Sequence, residues 1–329
     1  MRTAKRAETT SAAEVISDRA DRSIETHEAR ADAGTSVHDD ELALQRRYHD
    51  DLFGALGAGE VLVDRLRELL GGAQVLEALG VDQMGHFGPN GCELLAEQVV
   101  ARSNGSPRLI EIGSGYGGSL RDVVRRLRRA GVLPARAIGV ELIEAFARAG
   151  RRIEVSLGGP DRVHWLVADA RALPLADRTV DFVLLAGSMP HLQDPGSALR
   201  EMHRVLAPGG FLVFTEEVSL FLDPERVSRR FAASHPLEVF RYTTRAERRK
   251  AIAEAGLELV DERDLRLWSA CLFRDRLKAL RLIRGSMELA FGPASTARMA
   301  EALEAAALEA CRGSLLPALF VACRPEESG

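Results

Sequence analysis

The chain has 329 residues, a formal net charge of −4 and 46% hydrophobic residues, which suits one large α/β domain with additions. The slight acidic excess and the 5% of aromatic residues argue against a nucleic-acid-binding surface or a base-stacking platform. No apolar run approaches the roughly 18 residues that cross a bilayer. The four cysteines, Cys92, Cys271, Cys311 and Cys323, form no CxxC pair and no metal-ligand spacing. They read as reduced core thiols of a cytoplasmic protein, and no residue is assigned to a metal.

Residues 1–40 contain no aromatic residue and carry nine acidic and six basic side chains among Ala, Ser and Thr. Such a composition buries little surface, so a disordered or loosely helical tail is expected. The basic residues near Met1 suit a transit peptide, but Glu8, Glu14, Asp18 and Asp21 do not. From Glu41 to Leu70 the apolar spacing is helical, and Gly71-Gly72 stops it. A glycine-rich loop, Val81 to Pro89, precedes a helix from about Gly91 to Arg102. Short apolar runs then alternate with amphipathic stretches. Strands are expected at 108–112, 136–141, 162–168, 181–186 and 210–216, and helices at 119–130, 143–152 and 195–206. Leu120, Val123, Val124 and Leu127 place a clear apolar stripe on the first of these helices. Asp194-Pro195 starts the third and Pro208-Gly209-Gly210 follows it as a stop. The alternation implies a parallel sheet with helices on both faces. Thr244 to Glu247 is a capping-box pattern. Helices at about 272–290 and 294–312 and a strand from Ala318 to Cys323 complete the reading.

The strongest local signal is Leu109-Ile-Glu-Ile-Gly-Ser-Gly-Tyr-Gly-Gly118, a strand entering a glycine loop and then a helix. Glycines let the backbone approach a ligand closely, and the helix N-terminus offers unpaired N–H groups. Alone, Gly113, Gly115 and Gly118 also fit a dinucleotide fingerprint. Glu111, Glu141 and Asp169 stand at or near the ends of the first three strands. In a parallel sheet these ends share one edge, where ligands bind. Three carboxylates there suit a cationic amine, a vicinal diol and an exocyclic amino group, and would repel a pyrophosphate.

As a set, these residues resemble the class I S-adenosylmethionine-dependent methyltransferases, over about residues 80–220 and the terminal strand. The stretches Asp181–Ser188 and Leu199–Gly210 are similar to the small-molecule subgroup, which includes antibiotic sugar O-methyltransferases, sarcosine/dimethylglycine N-methyltransferases and prenyl C-methyltransferases. The resemblance implies a Rossmann-like, mostly parallel seven-stranded sheet with helices on both faces. It also implies a helical lid over 41–105, a catalytic domain over 106–329 with acceptor-binding elements around 217–315, and a C-terminal helical elaboration. S-adenosyl-L-methionine is the implied cofactor and a small molecule of natural-product metabolism the implied acceptor. Gly113 and Gly115 would pack under the cofactor, with Glu111 near its methionine amino end and Tyr116 shaping that end. Glu141 would grip the ribose, and Asp169 with the Ala170 amide would read the adenine. Gln83, Ser114, Leu142 and Gly187 complete the implied cofactor site, and Gln83 to Gly88 looks like the segment that closes over the sulfonium.

The sugar O-methylating relatives have a His-His pair after the fourth strand and an acid ending the fifth. Here Pro190 takes the first His position, His191 the second, and Glu216 matches the acid. Glu216, His191 and the lid residue His86 are therefore the candidate catalytic residues, with His191 open to a packing role near the adenine instead. Glu217, on the opposite side of the strand, is expected to be a bystander. Phe221, Phe231, Phe240 and Tyr242 fall in the acceptor region and suggest a partly apolar substrate. A homodimer is one assembly open to the chain, and neither nucleic acid nor membrane is an expected partner. Two other readings compete: a nicotinamide oxidoreductase using the same glycine loop, and an inactive methyltransferase fold that only binds.

Overall fold

Residues 37–53, 68, 80, 82–157, 163–217 and 227–326 are described by the computed structural model of the chain. The chain divides into two units, residues 1–40 and 41–329. Of the first, only residues 37–40 are described, as the opening turn of helix α1 (Val37–Phe53). The rest of the expected tail, most of the expected helix between 54 and 70, and Phe221 lie outside the described residues.

The second unit is built on strands that alternate with helices. In chain order these are α2 (Pro89–Arg102), β1 (Arg108–Ile112), α3 (Gly118–Arg129), β2 (Arg136–Glu141), α4 (Glu144–Leu157), β3 (His164–Val167) and β4 (Val180–Ala186). A 3-10 turn at Met189–His191 leads to α5 (Pro195–Val205), β5 (Leu206–Glu216), α6 (Arg229–Ser234), α7 (Arg245–Glu254) and β6 (Glu258–Asp264). The chain continues through α8 (Arg266–Leu282), α9 (Arg284–Phe291) and α10 (Pro293–Arg312) into β7 (Ala318–Cys323).

Among the described residues the sheet has seven strands in the order β3-β2-β1-β4-β5-β7-β6. The first five are parallel, and β7 runs antiparallel to both β5 and β6. Two-residue periodicity sends alternate side chains to opposite faces. Leu109, Leu184 and Val213 pack with Leu120, Val123 and Leu127 of α3 in one apolar cluster. Ile110, Val183, Leu212 and Phe214 pack with Leu199 and Met202 of α5 and Ile252 of α7 in the other. Helices thus cover both faces, as the strand–helix alternation implies. The chain leaves β1 toward β2 on one side and returns to β4 on the other. The crevice between the carboxyl ends of β1 and β4 is therefore the switch point at which open α/β sheets bind ligands.

Local chemistry sets the element ends. Asp194 accepts the Ser197 amide at 3.0 Å to cap α5, and Thr244 and Glu247 close the expected capping box of α7. Three details depart from the sequence expectation. The Pro208-Gly-Gly210 stop lies inside β5 as an irregularity: Val180 pairs with Leu206 and Phe182 with Phe211, and Gly209 takes φ +73. The helix expected at 272–290 is two helices, α8 and α9, that meet at Ile283. Strand β6 has no counterpart in the sequence reading, because its Glu-Leu-Val-Asp-Glu-Arg-Asp run is a charged edge strand without apolar alternation. The cysteines also need correcting. Cys92 is buried, but Cys271 and Cys311 are exposed and Cys323 is intermediate, so they are not four core thiols.

Candidate active site

The glycine loop after β1 is shaped by positive backbone angles. Gly113 takes φ +69, and a Cβ there would stand 2.5 Å from Ser188 Cβ in the loop after β4. Ser188 Oγ donates to Ile112 O at 2.5 Å and ties the two strand ends together. Gly115 takes φ +55, and a Cβ there would meet Met84 Sδ at 2.5 Å. Only glycine fits both positions without strain. The loop segment carrying Met84 is latched down by charge: buried Arg121 of α3 donates to Asp82 Oδ2 and to Tyr116 O, each at 2.7 Å. A carboxylate that is buried but ion-paired in this way fixes the segment's position above the glycines.

A cleft opens at the switch point, with about 1250 Å³ of empty space counted out to its solvent-filled mouth. Gly113, Gly115, Glu141, Leu142, Asp169, Ala170, Gly187, His86 and His191 line it, so nine of the expected site residues come together. Glu141 ends β2 and is buried; its carboxylate accepts Gly115 N at 2.7 Å and Ile143 N at 2.8 Å. Burial pushes its pKa up against the pull of those amides. Asp169 lies at the other end of the wall in a three-way contact, paired to Arg171 at 2.8 Å, while Arg171 reaches Glu41 of α1 at 3.1 Å. From residue 41 on, α1 lies over this end of the cleft, where Gln45 Nε2 donates to His191 O and Val239 O.

Four expected site residues are placed elsewhere. Glu111 does not line the cleft. It sits beneath the glycine loop, accepting Ser114 Oγ at 2.9 Å and Ser119 Oγ at 2.5 Å, and burial raises its pKa to about 7. Its position in β1 sends it toward α3, so the three-carboxylate rim reduces to Glu141 and Asp169. Ser114 turns toward Glu111 for the same reason. Gln83 faces a neighbouring cleft, with Cys92 Sγ 3.5 Å from its Oε1.

The largest correction concerns Glu216. It is fully buried on the α7 face of the sheet, bound by Arg248 through Nε at 3.0 Å and Nη2 at 2.6 Å. The supposed bystander Glu217 lines the cleft instead. Its carboxylate accepts Phe87 N at 3.1 Å and Thr215 Oγ1 at 3.3 Å, and lies 3.8 Å from His86 Nδ1. Gly187 takes φ +80, and a Cβ there would stand 2.7 Å from the Glu217 carboxyl carbon. Burial raises Glu217 to about 7 and lowers His86 to about 4. His86 Nε2 in turn lies 3.1 Å from Nε2 of buried His235. The result is a chain of three titratable groups, one of them poised to exchange a proton near neutrality.

His191 packs at 4.4 Å from the Phe240 ring and 5.2 Å from the His49 ring. Burial drives its pKa well below the usual value, and its Nδ1 is a buried atom without a partner among the described residues. Phe231 and Tyr242 belong to this aromatic layer rather than to the cleft wall: Phe231 stacks on His235, and the Tyr242 hydroxyl donates to His235 O.

Three residues of weight were missed in the sequence: Glu217, His235 and Arg276, whose Nη1 donates to Gly85 O at 3.2 Å. Only the parity of β5 could have pointed to Glu217. Nothing in the local sequence marks the other two.

A methyltransferase-domain family model matches residues 110–214, the stretch from the glycine loop through β5. The chain is similar to the ubiquinone/menaquinone biosynthesis C-methyltransferase UbiE of Pasteurella multocida, 37% identical over 26% of this chain and 31% of that protein. It is also similar to the dimethylglycine N-methyltransferase of Parasynechococcus marenigrum, 32% identical over 34% of this chain and 38% of that protein. The chain thus spans about a third of the length of these relatives. In fold it resembles the Haemonchus contortus phosphoethanolamine N-methyltransferase 2 in complex with phosphomonomethylethanolamine and S-adenosylhomocysteine. That match has a TM-score of 0.65 and 15% identity, covering 85% of this chain and 60% of that one. The sheet is the Rossmann-like sheet of the class I methyltransferases. The matches favour that side of the alternatives over the nicotinamide reading.

Proposed function

We propose that the chain transfers a methyl group from S-adenosyl-L-methionine to a small-molecule acceptor. The observation that carries this reading is the cleft itself, with Glu141 on one wall and the Glu217–His86 pair across it. The residues present fit the cofactor. Gly113 and Gly187 line the cleft with bare backbone at positive φ, where a Cβ would collide with Ser188 or Glu217, and the buried Glu141 carboxylate suits a vicinal diol. The orphaned His191 Nδ1 sits in a wall that would receive a polar heterocycle. A sulfonium-bound methyl carbon is already activated, so the protein's part is to hold a nucleophile in line with it and exclude water.

The residues divide that work. Glu141 and the glycine loop position the donor, with Asp169 and Ala170 at the far end of the cleft. Glu217 receives the acceptor's proton, with His86 holding a neutral imidazole beside it. In this reading Glu216 and Glu111 are structural, and His191 packs against the donor rather than acting as a base. Residues 41–105 and the elements from 217 to 315 serve as lid and acceptor walls around the catalytic core that starts at about residue 106. The named relatives are a C-methyltransferase of ubiquinone/menaquinone biosynthesis and a dimethylglycine N-methyltransferase, so a natural-product acceptor is the narrower part of the reading and rests on the subgroup resemblance at 181–210. Among the described residues no helix is long and apolar enough to cross a membrane, and we read the site of action as the cytoplasm.

Two measurements test the reading. Calorimetry should give saturable binding of S-adenosylhomocysteine, and tritiated S-adenosylmethionine should label at least one member of a panel of phenols, amines and prenylated acceptors. Absence of S-adenosylhomocysteine binding would remove the reading altogether.

A further inference from the structure

The cleft holding Glu141 and Glu217 adjoins a second one, and Tyr48, Leu52, Met84, Gly85 and His86 belong to both. The second cleft holds about 980 Å³ of empty space, its open mouth included. Its far wall is supplied by α8, α9 and α10 through Ala279, Leu280, Ile283, Met287, Met299 and Leu303. This wall is aliphatic.

Among the described residues one guanidinium lines it. Arg276 lines the second cleft, and its single hydrogen bond among the described residues goes from Nη1 to Gly85 O at 3.2 Å. No carboxylate among those residues lies within ion-pairing distance of it, and burial lowers its pKa. Glu217 acts on it at longer range, but a carboxyl raised to about 7 is a weak counter-ion. A guanidinium carries five donors, so most of its hydrogen-bonding capacity is unused. Arg276 is only half-buried, so those remaining donors stay open to whatever enters the cleft. The lid loop is also shaped around this group: Gly88 takes φ +51, and a Cβ there would lie 1.7 Å from Arg276 Nη1. A guanidinium held against this loop, with no carboxylate to pair it among the described residues, is an anion-binding group at the head of an apolar slot.

We propose that the second cleft is the acceptor pocket and takes an amphipathic anion, an apolar body bearing one anionic oxyacid group that Arg276 binds beside His86. That this pocket serves methyl transfer rests on the function proposed above; the binding of an amphipathic anion stands by itself. Arg276 reaches from α8 to the loop residue Gly85, which lines both clefts, so its bidentate grip on an oxyacid would orient the acceptor toward Glu217. Apolar contacts along α8 to α10 set the length of the tail, and the charge decides which end enters first.

The experiment compares decanoate, 1-decanol and decylammonium by calorimetry on the full chain, in parallel with S-adenosylhomocysteine. Decanoate should bind at least tenfold tighter than the other two. Arg276→Gln should weaken decanoate about 10- to 100-fold and leave 1-decanol and S-adenosylhomocysteine within twofold. Arg276→Lys should recover part of the loss, which a purely structural role on the lid would not do. Ala279→Trp, at an exposed position of the cleft wall, should fold normally and weaken decanoate and decanol together. Equal binding of decanoate and decanol, or no binding of decanoate at all, overturns the inference. S-adenosylhomocysteine binding without that discrimination rejects the pocket and keeps the methyltransferase reading. Discrimination without S-adenosylhomocysteine binding does the reverse.

Discussion

Exchanging the two adjacent carboxylates of β5 for amides separates chemistry from architecture. Glu217→Gln keeps an oxygen to accept the Phe87 amide and removes the group that takes a proton. Loss of a general base typically lowers turnover by ~10²–10⁴-fold. Its effect on stability has the opposite sign. The folded-state pKa of Glu217 is raised to about 7 from an ordinary 4.5, so the stability linked to its protonated form is full below 4.5 and is lost as pH rises through 7. A rise of roughly 2.5 units corresponds to about 3 kcal/mol once the group is ionised. Glu217→Gln should therefore raise the melting temperature at pH 9 and change it little at pH 5. The wild-type kcat/KM for an oxygen or nitrogen acceptor should climb through pH about 7 and level off, and the variant's residual rate should lose that inflection. Glu216→Gln breaks a buried, bidentate pair with Arg248 and should cost about 3–5 kcal/mol, on the order of 10 °C in melting temperature. Turnover per folded molecule should stay within a few-fold. Differential scanning calorimetry and initial rates from pH 5 to 9 read both effects. A Glu217→Gln enzyme with full turnover and an unchanged pH profile, beside a Glu216→Gln enzyme that is folded but inactive, would refute the assignment.

Glu141→Ala should weaken S-adenosylhomocysteine binding by roughly 10- to 1,000-fold in calorimetry, since it removes the carboxylate proposed to hold the donor's diol and seen to hold Gly115 N. Gly113→Val combines φ +69 with a Cβ 2.5 Å from that of Ser188, and should abolish S-adenosylhomocysteine binding while circular dichroism shows a folded protein. Arg121→Leu unlatches Asp82 and leaves it buried without a partner, so limited proteolysis should cut near residue 82 faster by about tenfold while binding weakens. The buried histidines give an acid limb. His49 and His86 titrate at about 4 in the folded chain, and His191 and His235 lie well below 6.5. Their contribution is complete above 6.5 and is lost as pH falls, because the unfolded chain takes up the protons. Glu111, Glu141 and Glu217, all raised by burial, oppose this, but four groups outweigh three, so the urea midpoint should fall from pH 6.5 to 4.5. A rising midpoint would show that the histidines are not held neutral.

Some of this was legible in the sequence because it is encoded over short distances. A strand feeding a glycine loop and an amphipathic helix is a local pattern, and the Leu120, Val123, Val124 and Leu127 stripe is buried as its period requires. Caps such as Asp194 and the Thr244–Glu247 box need only four residues of context. Glu141 was legible because a strand-end acid in a parallel sheet has one edge to face. Strand β6 was not, because an edge strand needs no apolar alternation to form its ladder.

The two glutamates of β5 mark where local information ends. The sequence by itself determined that Glu216 and Glu217 stand at the ligand edge of the sheet and face opposite ways, since side chains alternate along a strand. Which face receives the lid and which receives α7 depends on how chain segments tens of residues away cross the sheet. The tertiary structure put Phe87 and His86 on the Glu217 face and Arg248 on the other, turning the supposed base into a buried ion pair and the supposed bystander into the group that meets the cleft. Arg276 follows the same logic. Its helix gives no sign of function, and only the packing of α8 against the loop at Gly85 sets a guanidinium in an aliphatic slot with no carboxylate to meet it among the described residues.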